Sequence, residues 1–136
     1  MIYSIGTDIV EIDRIKLAVE RSGQRFLERV FTQDEISYCF RRKNPFPHLA
    51  ARFAAKEAMV KALTKTAGSG GLSEVREHYV SLNDFEIVND PTGKPFMKVR
   101  GNLKSYIEDL LLTIHLSVAH ERNFAVATVV LETTGL

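Results

Sequence analysis

Asp8, Glu57 and Lys61 are the residues whose types and spacing suggest chemistry rather than architecture. Glu57 and Lys61 lie in the run Leu49-Ala50-Ala51-Arg52-Phe53-Ala54-Ala55-Lys56-Glu57-Ala58-Met59-Val60-Lys61. Being four residues apart, they share one face of a helix. The alanines around them leave room for close approach, so a carboxylate and an ammonium beside a bare wall suit a metal ion and a phosphate. Four-spaced Glu-Lys pairs also form plain surface ion pairs. The second carboxylate, Asp8, interrupts the apolar run Ile5-Gly6-Thr7-Asp8-Ile9-Val10-Glu11-Ile12. Such a residue is paired, hydrogen-bonded or metal-bound, or else it marks a strand end and caps the following turn. Gly6 lets a backbone or a ligand come near. Glu11, three positions on, points to the opposite strand face from Asp8. Two carboxylates without histidine or cysteine partners favour magnesium over zinc, because hard cations take oxygen ligands. Magnesium keeps several waters and pairs with substrate phosphates, so a pyrophosphate substrate fits better than a bare hydrolysis site.

These residues need elements to hold them. Met1 to Ile12 reads as a strand of Ile, Val and Thr. Asp13 is placed to cap a helix from Arg14, with apolar positions Ile15, Ala18, Val19, Phe26 and Val30, which Ser22-Gly23 can break or bend. Thr32 with Glu35 three places on makes a capping-box pattern for a second helix. The alanine-rich helix then runs from about His48 to Leu63, free of glycine and proline. Gly68-Ser69-Gly70-Gly71 falls in a loop from Thr64 to Ser73 and matches no phosphate-binding spacing, so it reads as a connector. Val80 to Val88 and Pro95 to Val99 form a hairpin around Asn89-Asp90-Pro91-Thr92-Gly93. Asn102 caps a short helix through Leu112. Thr113 to Ala119 alternates, with Ile114, Leu116 and Val118 on one face and His115 and Ser117 on the other. Phe124 to Leu131 is a last apolar strand. Mixed helices and hairpins make this an α+β domain, with residues 1–136 as one unit.

Composition narrows the class. A length of 136 residues suffices for one core. Eighteen basic and seventeen acidic residues leave a formal charge of +1, which argues against a non-specific nucleic-acid binder. The single Cys39 excludes an internal disulfide and suits a reducing compartment. No apolar run reaches membrane-span length, and no signal-peptide pattern opens the chain, so a cytoplasmic protein is expected.

Local charge is less even. Five basic residues against two acidic ones fall between Arg14 and Arg29. Arg14, Arg21 and Arg25 share a narrow arc if the helix continues through Gly23. That stripe suits an acidic partner, or is a solvated face. His115 and Ser117 can reach a ligand, and a strand histidine is also commonly structural. His120, in a turn, can be part of a site or simply favour the turn backbone, and His48 and His78 read as structural.

Gly6-Thr7-Asp8-Ile9-Val10-Glu11-Ile12, Phe31-Thr32-Gln33-Asp34-Glu35, Ala51-Arg52-Phe53-Ala54-Ala55-Lys56-Glu57-Ala58, Gly93-Lys94-Pro95 and Leu116-Ser117-Val118-Ala119-His120 occur in one order along nearly the whole chain. Together they resemble holo-[acyl-carrier-protein] synthase, the small 4′-phosphopantetheinyl transferase family of fatty-acid synthesis. The resemblance implies a 4′-phosphopantetheinyl transferase-like fold with an antiparallel sheet packed on helices. It implies transfer of phosphopantetheine from coenzyme A to a serine of apo-acyl carrier protein, releasing 3′,5′-ADP. Asp8 and Glu57 would ligate Mg2+, Lys61 would neutralise the diphosphate, and Glu57 or a metal-bound water would take the serine proton. Arg52, Lys61, Pro95, His115 and Ser117 would line the coenzyme site. Arg14, Arg21 and Arg25 would receive the carrier's acidic helix. A homotrimer with sites between subunits is expected. The segment 64–78 is longer than the family's usual turn. Two rivals remain: a non-enzymatic module binding an acidic partner through the basic stripe, and a magnesium-dependent phosphohydrolase.

Overall fold

The computed structural model describes residues 1–66 and 81–133. Strand β1 (Ile2–Glu11) runs straight into helix α1 (Ile12–Ser22). No loop separates them, so the helix starts two residues before the expected Arg14. Asp13 lies in the first turn, where a carboxylate favours the helix dipole, and Glu11 is the N-cap residue. Gly23, at φ +51°, ends α1, and α2 (Gln24–Val30) begins beyond it. A side chain disfavours this left-handed conformation, so the glycine permits the break. The single continuous helix that would align Arg14, Arg21 and Arg25 is therefore two helices. All three arginines remain exposed.

Helix α3 (Gln33–Phe40) has the expected capping box, with Thr32 and Glu35 each bonding the other's backbone N–H. Helix α4 (Phe46–Thr66) is the spine of the fold. A 3-10 turn at Leu82–Asp84 precedes β2 (Phe85–Asn89), because Asp84 bonds back to the Ser81 N–H, so the strand starts later than the expected Val80. Val80, His78 and the glycine-rich stretch 68–71 lie outside the described residues. β3 (Pro95–Val99), α5 (Leu103–Asp109), β4 (Leu112–His120) and β5 (Phe124–Thr133) complete the chain.

β1, β5 and β4 form an antiparallel sheet with β5 in the middle, and β2 and β3 form a separate hairpin. Helix α4 crosses the inner face of the larger sheet, and Ala50, Ala54, Ala55, Ala58 and Ala62 are all fully buried. The alanines thus serve core packing, not a wall open to ligand as their size suggested. Gly6 explains the close fit. A Cβ there would lie 2.0 Å from the Ala58 carbonyl oxygen and 2.8 Å from the Ala62 nitrogen. The bare backbone of β1 presses directly on the helix. The Ser4 hydroxyl donates to the Ala62 carbonyl at 2.8 Å beside it.

The outer face of the sheet is unusual. The register lines up Ile5, Val130 and His115, then Thr7, Thr128 and Ser117, then Ile9, Val126 and Ala119. Ile5 is 48% exposed, Ile9 65% and Val126 38%. A one-sided antiparallel sheet normally turns polar residues to water, so these exposed apolar residues lack a partner among the described residues.

Candidate active site

The close contact at Gly6 fixes the site. Asp8, two residues on, keeps the same inward face and meets Lys61 of α4. The Lys61 ammonium donates to Asp8 Oδ1 at 2.8 Å and to the Thr7 carbonyl at 3.1 Å. Lys61 is half exposed, and its ammonium reaches solvent. Glu57 stands four residues before Lys61 and is half-buried. Burial first, and the nearby Asp8 carboxylate second, hold its carboxyl above the usual carboxylate range, while Lys61 and Arg14 pull it back. Asp8, about fifty residues away in the chain, thus joins Glu57 and Lys61 in one cluster, and Arg14 of α1 borders it. Glu11 is exposed.

Among the described residues no group of three or more His, Cys, Asp or Glu gathers as a metal cage. Two crowded carboxylates nevertheless fit a hard divalent cation. Their mutual repulsion raises Glu57, and an added positive charge relieves it. A cation held by only two carboxylates keeps coordination places for water and phosphate oxygens, which suits Mg2+.

Arg52 lies on another side of α4. It is almost fully buried, donates to Asn89 Oδ1 at 2.7 Å and stacks on the Tyr38 ring at 4.3 Å. Asn89 in turn donates to the Gly93 carbonyl at 2.9 Å, tying Arg52 to the hairpin turn. Arg52, Tyr38, Asn89, Pro95, His48 and His120 surround a cavity of about 380 Å³. The His48 and His120 rings meet edge to face, 5.5 Å between centroids. Burial, then His120 and the nearby arginines, hold His48 below the usual imidazole value. The Arg52 Nε is buried without a hydrogen-bond partner. Arg52 lines the cavity, and a guanidinium there suits an anionic oxygen.

His115 does not join this cavity. It sits on the outer sheet face and pairs with Glu132 at 3.2 Å, with Ser117 two residues along the same face. The candidate residues therefore fall in three places within one chain: Asp8, Glu57 and Lys61 between β1 and α4; Arg52 and Pro95 in the cavity; His115 and Ser117 on the open sheet. Sequence reasoning treated His48 as structural and missed Tyr38 and Asn89. These converge from α3, α4 and β2, and no spacing rule connects them. Cys39, fully buried, has its thiol pushed up to about 11, chiefly by burial, so it is no nucleophile near neutrality.

A family model described as the 4′-phosphopantetheinyl transferase superfamily matches residues 4–129. The chain belongs to that superfamily. It is 44% identical, over 96% of its length and 99% of the relative's, to the holo-[acyl-carrier-protein] synthase of Thermodesulfovibrio yellowstonii. The Neisseria meningitidis holo-[acyl-carrier-protein] synthase superposes with a TM-score of 0.80 at 33% identity, covering 98% of this chain and 100% of that one. The Bacillus anthracis holo-(acyl-carrier-protein) synthase, solved in complex with CoA (3′,5′-ADP), gives a TM-score of 0.73 at 34% identity, covering 98% and 99%. The α+β class expected for the chain is that of this superfamily, with helix α4 against an antiparallel sheet. No helix among the described residues is long and apolar enough to cross a membrane.

Proposed function

We propose that this protein transfers 4′-phosphopantetheine from coenzyme A to a serine of apo-acyl carrier protein, giving holo-carrier and 3′,5′-ADP. The observation that carries this reading is the Asp8–Glu57–Lys61 cluster assembled by the Gly6 contact. Its setting in a chain of the phosphopantetheinyl transferase superfamily supports it. The serine oxygen, giving its proton to Glu57 or to a water, forms a bond to the β-phosphorus of coenzyme A. The bond from that phosphorus to the bridging oxygen breaks, and 3′,5′-ADP leaves with the electron pair. Such transfer depends mainly on placement and charge stabilisation. Asp8 and Glu57 would hold Mg2+, which when bound draws charge from the diphosphate oxygens. The exposed Lys61 ammonium offers a further donor to those oxygens.

Arg52 and Pro95, with His48 and His120, would hold the coenzyme, the Arg52 guanidinium taking a phosphate oxygen. In one chain this cavity and the carboxylate pair lie on different sides of α4. A homotrimer offers a way to unite them: the apolar outer face of β1, β5 and β4 would pack on neighbouring copies. His115 and Ser117 on that face would then approach a neighbour's coenzyme. We expect Ile9→Lys, which puts a charge on the most exposed isoleucine of these three strands, to shift sedimentation to the monomer and reduce transfer sharply. An unaltered sedimentation coefficient counts against this interface.

The carrier would dock on Arg14 and Arg21 of α1 and Arg25 of α2. Arg14 lies near enough to Glu57 to lower its pKa, so a docked serine is brought to the carboxylate pair. We expect Arg14→Glu with Arg21→Glu to raise the KM for carrier about tenfold or more while coenzyme A binding stays unchanged. Equal loss of both would reject the docking role. A place in fatty-acid biosynthesis and a cytoplasmic setting complete the proposal. The deciding experiment incubates the protein with apo-carrier, coenzyme A and Mg2+ and reads the carrier's intact mass. A gain of one phosphopantetheine, abolished by chelator, is expected. Phosphate release without carrier modification would reject transfer in favour of hydrolysis.

A further inference from the structure

The proposed coenzyme cavity leans on a hairpin whose strand β2 has a strand neighbour on one side only. β2 pairs with β3. The Asp84 carbonyl accepts from the Arg100 N–H on the β3 side, so the alternate residues Phe85 and Ile87 turn their backbone groups to the other edge. Among the described residues no strand lies there. Instead the Lys56 ammonium donates to the Phe85 carbonyl at 2.6 Å and to the Leu82 carbonyl at 3.2 Å. Glu35 Oε2 accepts from the Ile87 N–H at 3.1 Å. Lys56 and Glu35 are joined at 2.6 Å, and both side chains are fully buried. Glu35 Oε1 also accepts from the Thr32 N–H, so the same carboxylate closes the start of α3.

The pair presents one donor and one acceptor to a bare strand edge, as the peptide groups of another strand would. We infer that Lys56 and Glu35 act as a surrogate third strand on β2 and thereby set the position of the coenzyme cavity, as positioning residues for coenzyme binding. The second half of this inference rests on the coenzyme assignment made above. Neither residue lines the cavity, yet each is one step from its walls. Tyr38 follows Glu35 by three residues on α3, Arg52 precedes Lys56 by one turn of α4, and Ile87 is itself a lining residue. Plain stability does not demand a buried ion pair, because apolar residues of similar volume often serve as well. Here apolar residues would leave the Phe85 carbonyl and the Ile87 N–H without partners, and unmade buried hydrogen bonds are costly.

The test is Glu35→Gln, which keeps size and removes one acceptor. A glutamine whose carbonyl faces Lys56 sets its NH2 against the Ile87 N–H; turned over, it sets the NH2 against the ammonium. We expect the KM for coenzyme A to rise about tenfold, with kcat and the KM for carrier changing less than about threefold. The Ile87 amide should lose its hydrogen-exchange protection in the folded variant. Protection of that amide in the unaltered enzyme, where no strand pairs it, is expected whatever the variant's folding yield. Rapid Ile87 exchange in the unaltered enzyme overturns the surrogate strand. Lost protection with an unchanged KM for coenzyme A overturns the positioning role, and so does an equal shift of both KM values. Arg52→Ala run alongside separates the two levels. If it leaves the KM for coenzyme A unchanged, the cavity's assignment to the coenzyme fails, while the Ile87 result still judges the strand edge.

Discussion

We expect Glu57→Gln to abolish transfer and to make the metal-free protein more stable at neutral pH. Burial and Asp8 hold the Glu57 carboxyl above the usual carboxylate range, so ionising it costs more in the fold than in the open chain. That cost is absent below the unfolded pKa and present in full above the folded one. Wild type at neutral pH carries it, and the neutral amide does not. In chelator, wild type should therefore gain stability as pH falls through the raised folded value, and Glu57→Gln should lack this gain. Activity moves the other way, because the proton competes with the cation. The acid limb of the rate profile should sit above the ordinary glutamate range. The rate lost in the variant should exceed about a hundredfold, in line with several kcal/mol of metal charge stabilisation. Calorimetry in chelator and the intact-mass assay read the two effects. A melting temperature at or below that of wild type at neutral pH would contradict the crowding of Asp8 and Glu57.

Gly6→Ala adds a single carbon yet damages both fold and site. Its Cβ would meet backbone atoms of α4 at 2.0 and 2.8 Å, and no side chain can rotate away to make room. Strand β1 must lift from the helix, at a cost of roughly 1–3 kcal/mol or more. The same displacement carries Asp8 away from Glu57 and Lys61. Misplacement by about 1 Å can reduce a rate by about a hundredfold, so activity should fall even where the protein stays folded. Urea unfolding and transfer kinetics on the folded fraction separate the two losses. At Gly93 nothing lies within 4 Å of the added carbon, and only its φ of +89° opposes a side chain. Gly93→Ala should therefore be the milder change, and comparable losses at both positions would reject the contact argument.

The sequence showed some of this plainly. Asp8 stood out because a carboxylate in an apolar strand needs a reason, and the contact with Lys61 supplies one. Thr32 and Glu35 announced a helix start, since the capping box is local and needs no knowledge of the fold. The helix of alanines was legible as a helix, but its packing was not. Small residues mark close approach without saying whether a ligand or a strand approaches. Lys56 and Arg52 carried an unused signal. They stand one turn apart among Ala51, Phe53, Ala54 and Ala55, and charges set in so apolar a stretch must find buried partners. The cavity could not be foreseen, because Tyr38, His48, Asn89 and His120 meet only after four elements are folded. The stripe of arginines was legible as charge, but the break at Gly23 turned its single axis into two.

The pairing of β1 with β5 has a consequence for how the protein is made. Ile2 to Glu11 is synthesised before the other strands, and among the described strands it hydrogen-bonds only with residues 124–132. Until that later segment emerges from the ribosome, the strand bearing Asp8 lacks this lateral partner and exposes its isoleucines to other nascent chains. Closing a loop of more than a hundred residues slows this step relative to local helix formation. The protein should therefore become competent only once β5 has emerged from the ribosome, and chains stopped before Phe124 should be captured by chaperones rather than accumulate as a partial fold.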